Sequence, residues 1–270
     1  MEKLKAYFHS FWRYRYLLQN LVGRDFKLKY RRSVLGVLWS VLNPLLMCLV
    51  YWAVFSSLFA EQLKGGGIEN FPVYLLCGQL LFTFFNESTS SGMSSVLSAA
   101  PLLKKVYIPK YIFPLEKCCF ALVNCVFSFI ALILVMVFTG CPLRLTVVLA
   151  LYPLVTMFLF NFGIALALSA FTVFFRDIMH MWQVFTTALM YFSAIFYDPA
   201  TMGSLGRFNV QSLIKINPVY WYITGFRQAV LKGQLLDGSV VLVCGGCAVI
   251  SVLIGTAIFK KTQDKFVLHI

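Results

Sequence analysis

The chain has 270 residues, 60% of them hydrophobic and only 12% charged, with a formal net charge of +13. Soluble domains carry about 25% charged residues, so this composition excludes an ordinary water-soluble globule and defines an integral membrane protein. The cations cluster beside apolar runs rather than on a folded basic face, which excludes nucleic acid as a partner and points to orientation in a bilayer.

Residues 1–32 form the first unit. Leu4, Phe8, Phe11, Leu18 and Val22 recur at helical spacing, with Tyr7, Trp12 and Leu21 beside them, while Lys3, Lys5, Arg13, Gln19 and Asn20 fall mostly on other faces. The pattern predicts an amphipathic helix suited to the headgroup plane or to docking on a soluble surface. The first long apolar run begins near residue 33 and is too long for the apolar part of a signal peptide.

Residues 33–270 form the second unit, an all-α membrane domain. Apolar runs predict six spans near 34–59, 71–92, 115–139, 145–172, 178–197 and 239–259. In the first, Asn43-Pro44 interrupts the apolar sequence. Pro44 removes one helix hydrogen bond and can bend the span. Asn43 offers a polar group either to a neighbouring helix or to a passing substrate.

The connection 93–114 contains SAAPLLKKVYIPKYIFP. Pro101 suits a first helical turn and Pro109 restricts Ile108, which predicts a short, bounded, basic helix. Its apolar Leu102, Leu103, Val106 and Tyr107 are expected to be exposed and to mark a protein-docking surface. The connection 198–238 is longer than a turn requires. Within it Asn217 is placed as N-cap, Pro218 at the first helical position and Gly233 at the C-cap of a short aromatic helix carrying Tyr220, Trp221, Tyr222 and Phe226. Most of the 23 lysines and arginines fall on the side of the N-terminal segment, of loop 93–114 and of the C-terminal tail, which predicts cytoplasmic termini.

Motifs for covalent chemistry are missing. Gly255 to Thr262 resembles a Walker loop only in part, lacking its second glycine and its preceding strand, so no ATP site and no cofactor are expected in this chain. No nucleophile elbow occurs. Glu87, Glu116 and Asp177 fall near cytoplasmic ends of spans, without a mid-span relay, which argues against a proton-coupled carrier. Paired carboxylates of a membrane-embedded glycan enzyme are likewise not offered. His9, His180 and His269 are scattered, and Cys244-x-x-Cys247 lies inside an apolar run, so no metal is expected. Aromatics are plentiful: Tyr51, Trp52 and Phe55 in span 1, Phe85 in span 2, and Tyr191, Phe196 and Tyr197 at the end of span 5. Phenylalanine serves lipid-facing or core packing, whereas tyrosine and tryptophan can also stack on sugar rings and bond hydroxyls.

Four blocks in order, RDFKLKYRRSVLGVLWSVLNPLL (24–46), LLKKVYIPKYIFPLEK (102–117), ALSAFTVFFRDI (167–178) and INPVYWYITGFRQAVLKG (216–233), resemble the membrane subunit of type-2 ABC exporters, in particular the branch that exports O-antigen, capsule or teichoic-acid polymers. The resemblance covers nearly the whole chain. It implies a homodimer in the cytoplasmic (inner) membrane, served by two cytoplasmic ABC ATPase subunits that hold the ATP and magnesium, with a lipid-linked glycan as cargo and membrane lipids around it. It implies that the N-terminal helix lies along the inner leaflet. A coupling helix is implied by Leu102, Leu103, Lys104, Lys105, Val106, Tyr107 and Pro109, and a cytoplasmic turn capped by Arg176-Asp177. Short re-entrant helices with Asn217, Pro218, Tyr220, Trp221 and Arg227 would gate the outer mouth. Spans 1 and 5 would line a conduit through Asn43, Tyr51, Trp52, Phe55, Phe85, Tyr191, Phe196 and Tyr197. An exporter of a small amphipathic drug or lipid is the alternative. Where the family often has Ser-Pro-Ile late in span 5, this chain has Ser193-Ala194-Ile195, which leaves the bend there without its proline.

Overall fold

The computed structural model describes residues 2–31, 33–58, 70–106, 108–199, 204–205 and 208–266. Arg32, Phe59, Lys64, Tyr107 and Arg207 lie outside the described residues, as do the side chains before Tyr14. Among the described residues ten α-helices follow one another: α1 (Glu2–Lys29), α2 (Trp39–Leu58), α3 (Phe71–Ser98), α4 (Ala100–Leu103), α5 (Ile112–Phe138), α6 (Leu151–Phe174), α7 (Ile178–Tyr191), α8 (Val210–Ile216), α9 (Pro218–Arg227) and α10 (Gly238–Thr262). A two-residue antiparallel pairing, Ser204 with Asn209 and Leu205 with Phe208, precedes α8.

Four stretches are long and apolar enough to cross a bilayer: Gly36–Phe55, Ile112–Phe138, Leu145–Phe174 and Gly238–Lys265. The two remaining sequence-predicted spans differ from these, each for its own reason. Helix α3 has the length, but Gln79 and the run Asn86 to Ser91 lower its apolarity. It is nevertheless the centre of the protein, with Val73, Leu75, Leu76, Cys77 and Leu81 fully buried. Much of its polar band bonds to protein: Ser88 and Thr89 donate to the carbonyls four residues earlier, Glu87 accepts from Asn124 at 2.7 Å, and Asn161 on α6 donates to Ser88 at 3.4 Å. A helix shielded from lipid by its neighbours tolerates such groups. Helix α7 has only 14 residues, about 21 Å at 1.5 Å per residue, which is short of the ~30 Å hydrocarbon core. The span expected over 178–197 is helical only to Tyr191 and then turns.

The core joins α3, α5, α6, α9 and α10 in one cluster that includes Phe84, Phe85, Met157, Tyr222 and Phe226. Helix α2 stands at its edge: 11% of its most apolar window is buried, against 56% for α6. Pro44 lies inside α2 without ending it. Helices α6 and α10 pack closest. A Cβ at Gly163 would overlap the backbone of Ser251, and one at Gly255 would overlap the backbone of Gly163. Small residues four apart let two helix backbones approach in this way, and the Ser251 hydroxyl seals the contact by donating to the Phe160 carbonyl at 2.7 Å.

Helix α1 packs along α5 rather than standing apart from the bundle. Leu21 joins Ile108, Ile112 and Phe113 in a small core, Asp25 pairs with Lys117, and Phe26 stacks on Phe127 at 5.5 Å. The contact therefore climbs α5 from residue 112 to residue 127, about 22 Å. At its end Lys29 donates to Glu87 at 3.0 Å.

Adding a methyl at the α6–α10 contact tests this packing. Gly163→Ala is expected to lower stability by about 1–3 kcal/mol through overpacking. Gly246→Ala, where a Cβ meets open space in the interior of α10, carries no such cost and gains about 0.5–1 kcal/mol of helix propensity. Thermal melts of both variants in detergent check this.

Candidate functional site

Three regions gather the sequence-predicted functional residues. The first is the turn after α7, where the chain reverses from Phe192 to Tyr197. Ala194 there has φ +51°, a left-handed conformation that disfavours a Cβ and excludes proline, whose ring fixes φ near about −65°. The chain turns here without a proline, held by contacts from other helices.

Both ends of α9 hold this turn. Asn217 is the N-cap, its side-chain oxygen accepting from the Val219 N–H at 2.9 Å. The same side chain donates to the Ser193 hydroxyl at 2.9 Å and to the Phe192 carbonyl at 3.2 Å. At the other end Arg227 is buried and donates four hydrogen bonds to main-chain carbonyls. Nη1 reaches Ala194 at 2.9 Å, Nη2 reaches Ile195 and Tyr74 at 3.1 Å each, and Nε reaches Tyr74 at 3.3 Å. The guanidinium also lies 3.4 Å from the Tyr74 ring centroid, a cation–π contact strengthened by desolvation. Tyr74 completes the knot by donating its hydroxyl to the carbonyls of Tyr197 at 2.8 Å and Ala194 at 3.3 Å. Gly78, one turn along α3, leaves the slot through which Arg227 passes, since a Cβ there would come within 2.7 Å of Nη2. Gly233 ends the α9 segment in the left-handed conformation, as its placement predicts. Tyr220 and Trp221 are half-buried in edge contact at 5.9 Å. Sequence reasoning named Arg227 and Asn217 but missed Tyr74, Gly78 and Ser193. The available signal was an arginine inside an apolar helix, which must find acceptors, and a tyrosine and a glycine four apart on one face of α3.

The second region is the face formed by α2 and α7. Both helices flank α3, and both leave most of their surface open. Phe196 stacks on Phe55 at 4.8 Å and meets Tyr51 edge-on at 5.1 Å, with Tyr191 at 6.4 Å. Tyr197 donates to the Tyr191 carbonyl at 2.7 Å. The structure thus brings Tyr51, Phe55, Tyr191, Phe196 and Tyr197 together where α2 meets the turn. Asn43, Trp52 and Tyr191 are exposed. Phe196 is buried within this cluster, and Phe85 lies inside the core between Phe160 and Trp182.

The third region is the opposite end. Helix α4 begins with Pro101 in its first turn, as predicted, and a turn over residues 104–106 follows. Leu102 and Leu103, expected to be exposed, are half-buried against the cores below, because α1 and α5 rise to meet them. Lys104, Lys105 and Val106 remain exposed, and Tyr107 lies outside the described residues. Behind this turn is a cavity of about 240 Å³ lined by Arg24, Asp25, Ser98, Pro101, Glu116 and Lys117, among others. Burial raises the affinity of Asp25 for a proton, but hydrogen bonds from Lys117 and Arg24 outweigh it and hold the carboxyl below its usual 3.8. Glu87, read as lying near the cytoplasmic end of its span, pairs with Lys29 and accepts from Asn124, and Glu116, read likewise, pairs with Lys117. Arg176 and Asp177 are exposed at the turn between α6 and α7. Asp177 occupies the N-cap position of α7 without a side-chain capping bond.

Among the described residues the chain is almost wholly helical, with several apolar spans and an exposed basic turn at one end. Residues 16–231 match the family described as ABC-2 type transporter. The match covers well over half of the chain, which therefore belongs to this family of multi-pass membrane proteins. A protein of Myxococcus xanthus named O-antigen export system permease protein RfbA is 28% identical over 258 residues, covering 94% of this chain and 95% of its own. Two Klebsiella pneumoniae proteins of the same name are 25% and 24% identical over 252 residues, covering 93% of each chain.

The Arg227 knot predicts a cost of about 3–5 kcal/mol for Arg227→Leu, the range for breaking a buried charged network. Arg227→Lys fails to rescue it, because an ammonium cannot span three carbonyls. Ala194→Gly raises stability by about 1 kcal/mol by relieving the left-handed backbone, and Ala194→Pro prevents folding. Detergent melts of the four variants give these values. The Asp25 tie has the sign of a depressed carboxylate: fully present above pH 3.8, and lost only as pH falls below it. Asp25→Asn is therefore expected to speed amide exchange in α1 at neutral pH, after correction for intrinsic rates.

Proposed function

We propose that this chain is the membrane subunit of an ATP-driven exporter that moves a lipid-linked polysaccharide of the O-antigen, capsule or teichoic-acid type across the cytoplasmic membrane. The observation that carries this reading is similarity over 93–95% of both chains to permeases whose names specify O-antigen export.

In this reading six segments cross the membrane, with α3 and α7 joining the four apolar spans, and both termini are cytoplasmic. The first part of α1 lies along the inner leaflet, and its last third is docked on α5. Two copies face each other through α2 and α7, whose open surfaces support such a pairing. Cargo passes along the seam between them. Exposed Trp52 and Tyr191, with Tyr51 and Tyr197 beside them, supply ring faces for successive sugars, and Asn43 supplies a polar contact. Weak repeated stacking lets a polymer slide where a single deep pocket would hold it. Helices α8 and α9 form the outer gate, with Pro218, Tyr220 and Trp221 on the moving part and Asn217 and Arg227 as its fixed points.

Energy comes from two cytoplasmic ATPase subunits, which bind the ATP and magnesium. Lys104, Lys105, Val106, Tyr107 and Pro109 dock on them, and Leu102 and Leu103 carry the motion inward. Arg176-Asp177 forms the second cytoplasmic turn. This chain performs no covalent step.

Reconstitution with the ATPase subunit tests the reading. The complex is expected to move a lipid-linked glycan on addition of ATP, while this chain alone hydrolyses none. The double variant Lys105→Ala, Tyr107→Ala inserts normally and loses export. Transport of small amphipaths but not of glycan would favour the drug or lipid exporter instead. Robust hydrolysis by the isolated chain would overturn both.

A further inference from the structure

We propose that the C-terminal turn of this chain positions the coupling loop, with Phe266 and Lys110 as the positioning residues. The inference rests on the reading of residues 102–109 as the segment that docks on the ATPase.

The last turn of α10 and the residues that follow it read KKTQDKF (260–266), a polar run up to Phe266 that should stay in water. A 3₁₀ turn over Gln263–Lys265 instead brings Phe266 back into the protein, where it is fully buried. Its ring meets Phe259 of α10 edge-on at 5.3 Å and Phe174 at the end of α6 at 6.1 Å. The same cluster takes in Val96 near the end of α3, and Leu103 and Tyr111 pack on it from the two sides of the coupling loop. Lys110 adds a polar clasp: its ammonium donates to the Gln263 carbonyl and lies 5.6 Å from the Phe266 ring centroid. A lysine on the last carbonyls of a helix is favourable for both hydrogen bonding and the helix dipole.

One ring thus joins the ends of α6 and α10 in a cluster that also holds Val96 of α3 and is flanked by Leu103 and Tyr111 from the entry and the exit of the loop. Lys104, Lys105 and Val106 stand exposed above it. A push on those residues reaches α6 and α10 through Phe266, because a close-packed core transmits displacement. Without the ring, the loop keeps its ties to α3, which it follows, to α5, which it precedes, and to α1 through the Leu21–Ile108 core, but loses its tie to α6 and α10. The inference adds a tail to the coupling machinery that no motif in the loop itself announces.

The test uses the complete complex with its ATPase subunit in proteoliposomes, comparing wild type with Phe266→Ala, Phe266→Leu and Lys110→Met. Two quantities are measured: amide exchange of residues 104–111, and cargo moved per ATP hydrolysed. Phe266→Ala and Lys110→Met are expected to speed exchange in the loop and to lower the ratio by about tenfold, the factor that corresponds to 1.4 kcal/mol. Phe266→Leu, which refills the apolar space, restores most of it. If Phe266→Ala fails to assemble, Lys110→Met carries the test, since it leaves the aromatic cluster intact. Wild-type exchange in both altered loops would overturn the inference, and so would faster exchange with an unchanged ratio. A wild-type complex that moves an amphipath rather than glycan would overturn the substrate reading alone, and the ratio for that cargo would still decide the role of Phe266.

Discussion

A single guanidinium sets the geometry of one end of this protein. Arg227 has to be buried, because α9 is wedged between α3 and α10, and a buried cation must find acceptors or shift its equilibrium toward unfolding. Helices offer no free carbonyls in their interiors, so the acceptors come from backbone that is not regular helix or is bifurcated. The Phe192–Tyr197 turn supplies two of them and the Tyr74 carbonyl the third. The stop of α7, the left-handed Ala194, the gap at Gly78 and the position of α9 all follow from satisfying that one side chain. Asn217 repeats the logic at the other end of the helix, where an amide caps one segment and ties down another.

The opposite end is organised by paired charges. Lys29, Lys117 and Arg24 meet Glu87, Glu116 and Asp25 along the seam between α1, α3 and α5. These pairs are partly exposed and individually weak, but they fix the register of α1 on α5 while aromatic contacts through Phe26 supply the packing. The two ends are thus built differently: a buried cation on carbonyls at one, and a half-wet row of ion pairs beside the coupling turn at the other.

Much of this was legible in the sequence. The apolar runs, the Asn217–Pro218 start, the Gly233 stop and the Pro101 turn each report local chemistry, and local chemistry survives folding. What the sequence hid depends on distant partners. Helix α3 reads as the weaker span because of Glu87, Ser88 and Thr89, yet those residues are polar because the helix is central and has partners for them, whereas α2 and α10, long and apolar enough to cross a bilayer, are mostly exposed. Apolarity along a span therefore does not report closeness to the core. Phe85 and Phe196 could not be told from surface aromatics, since phenylalanine suits both places. The bend at Ala194 carried no local signal at all, because its cause lies in another helix.

That separation orders events during synthesis. Arg227 follows Ala194 by 33 residues, and a ribosome adding roughly 5–20 residues per second needs a few seconds to reach it. Until then residues 192–197 lack the side chain whose hydrogen bonds hold their turn. The nascent segment therefore passes through an interval in which a longer, straighter α7 competes with the native turn, and only the arrival of α9 decides between them.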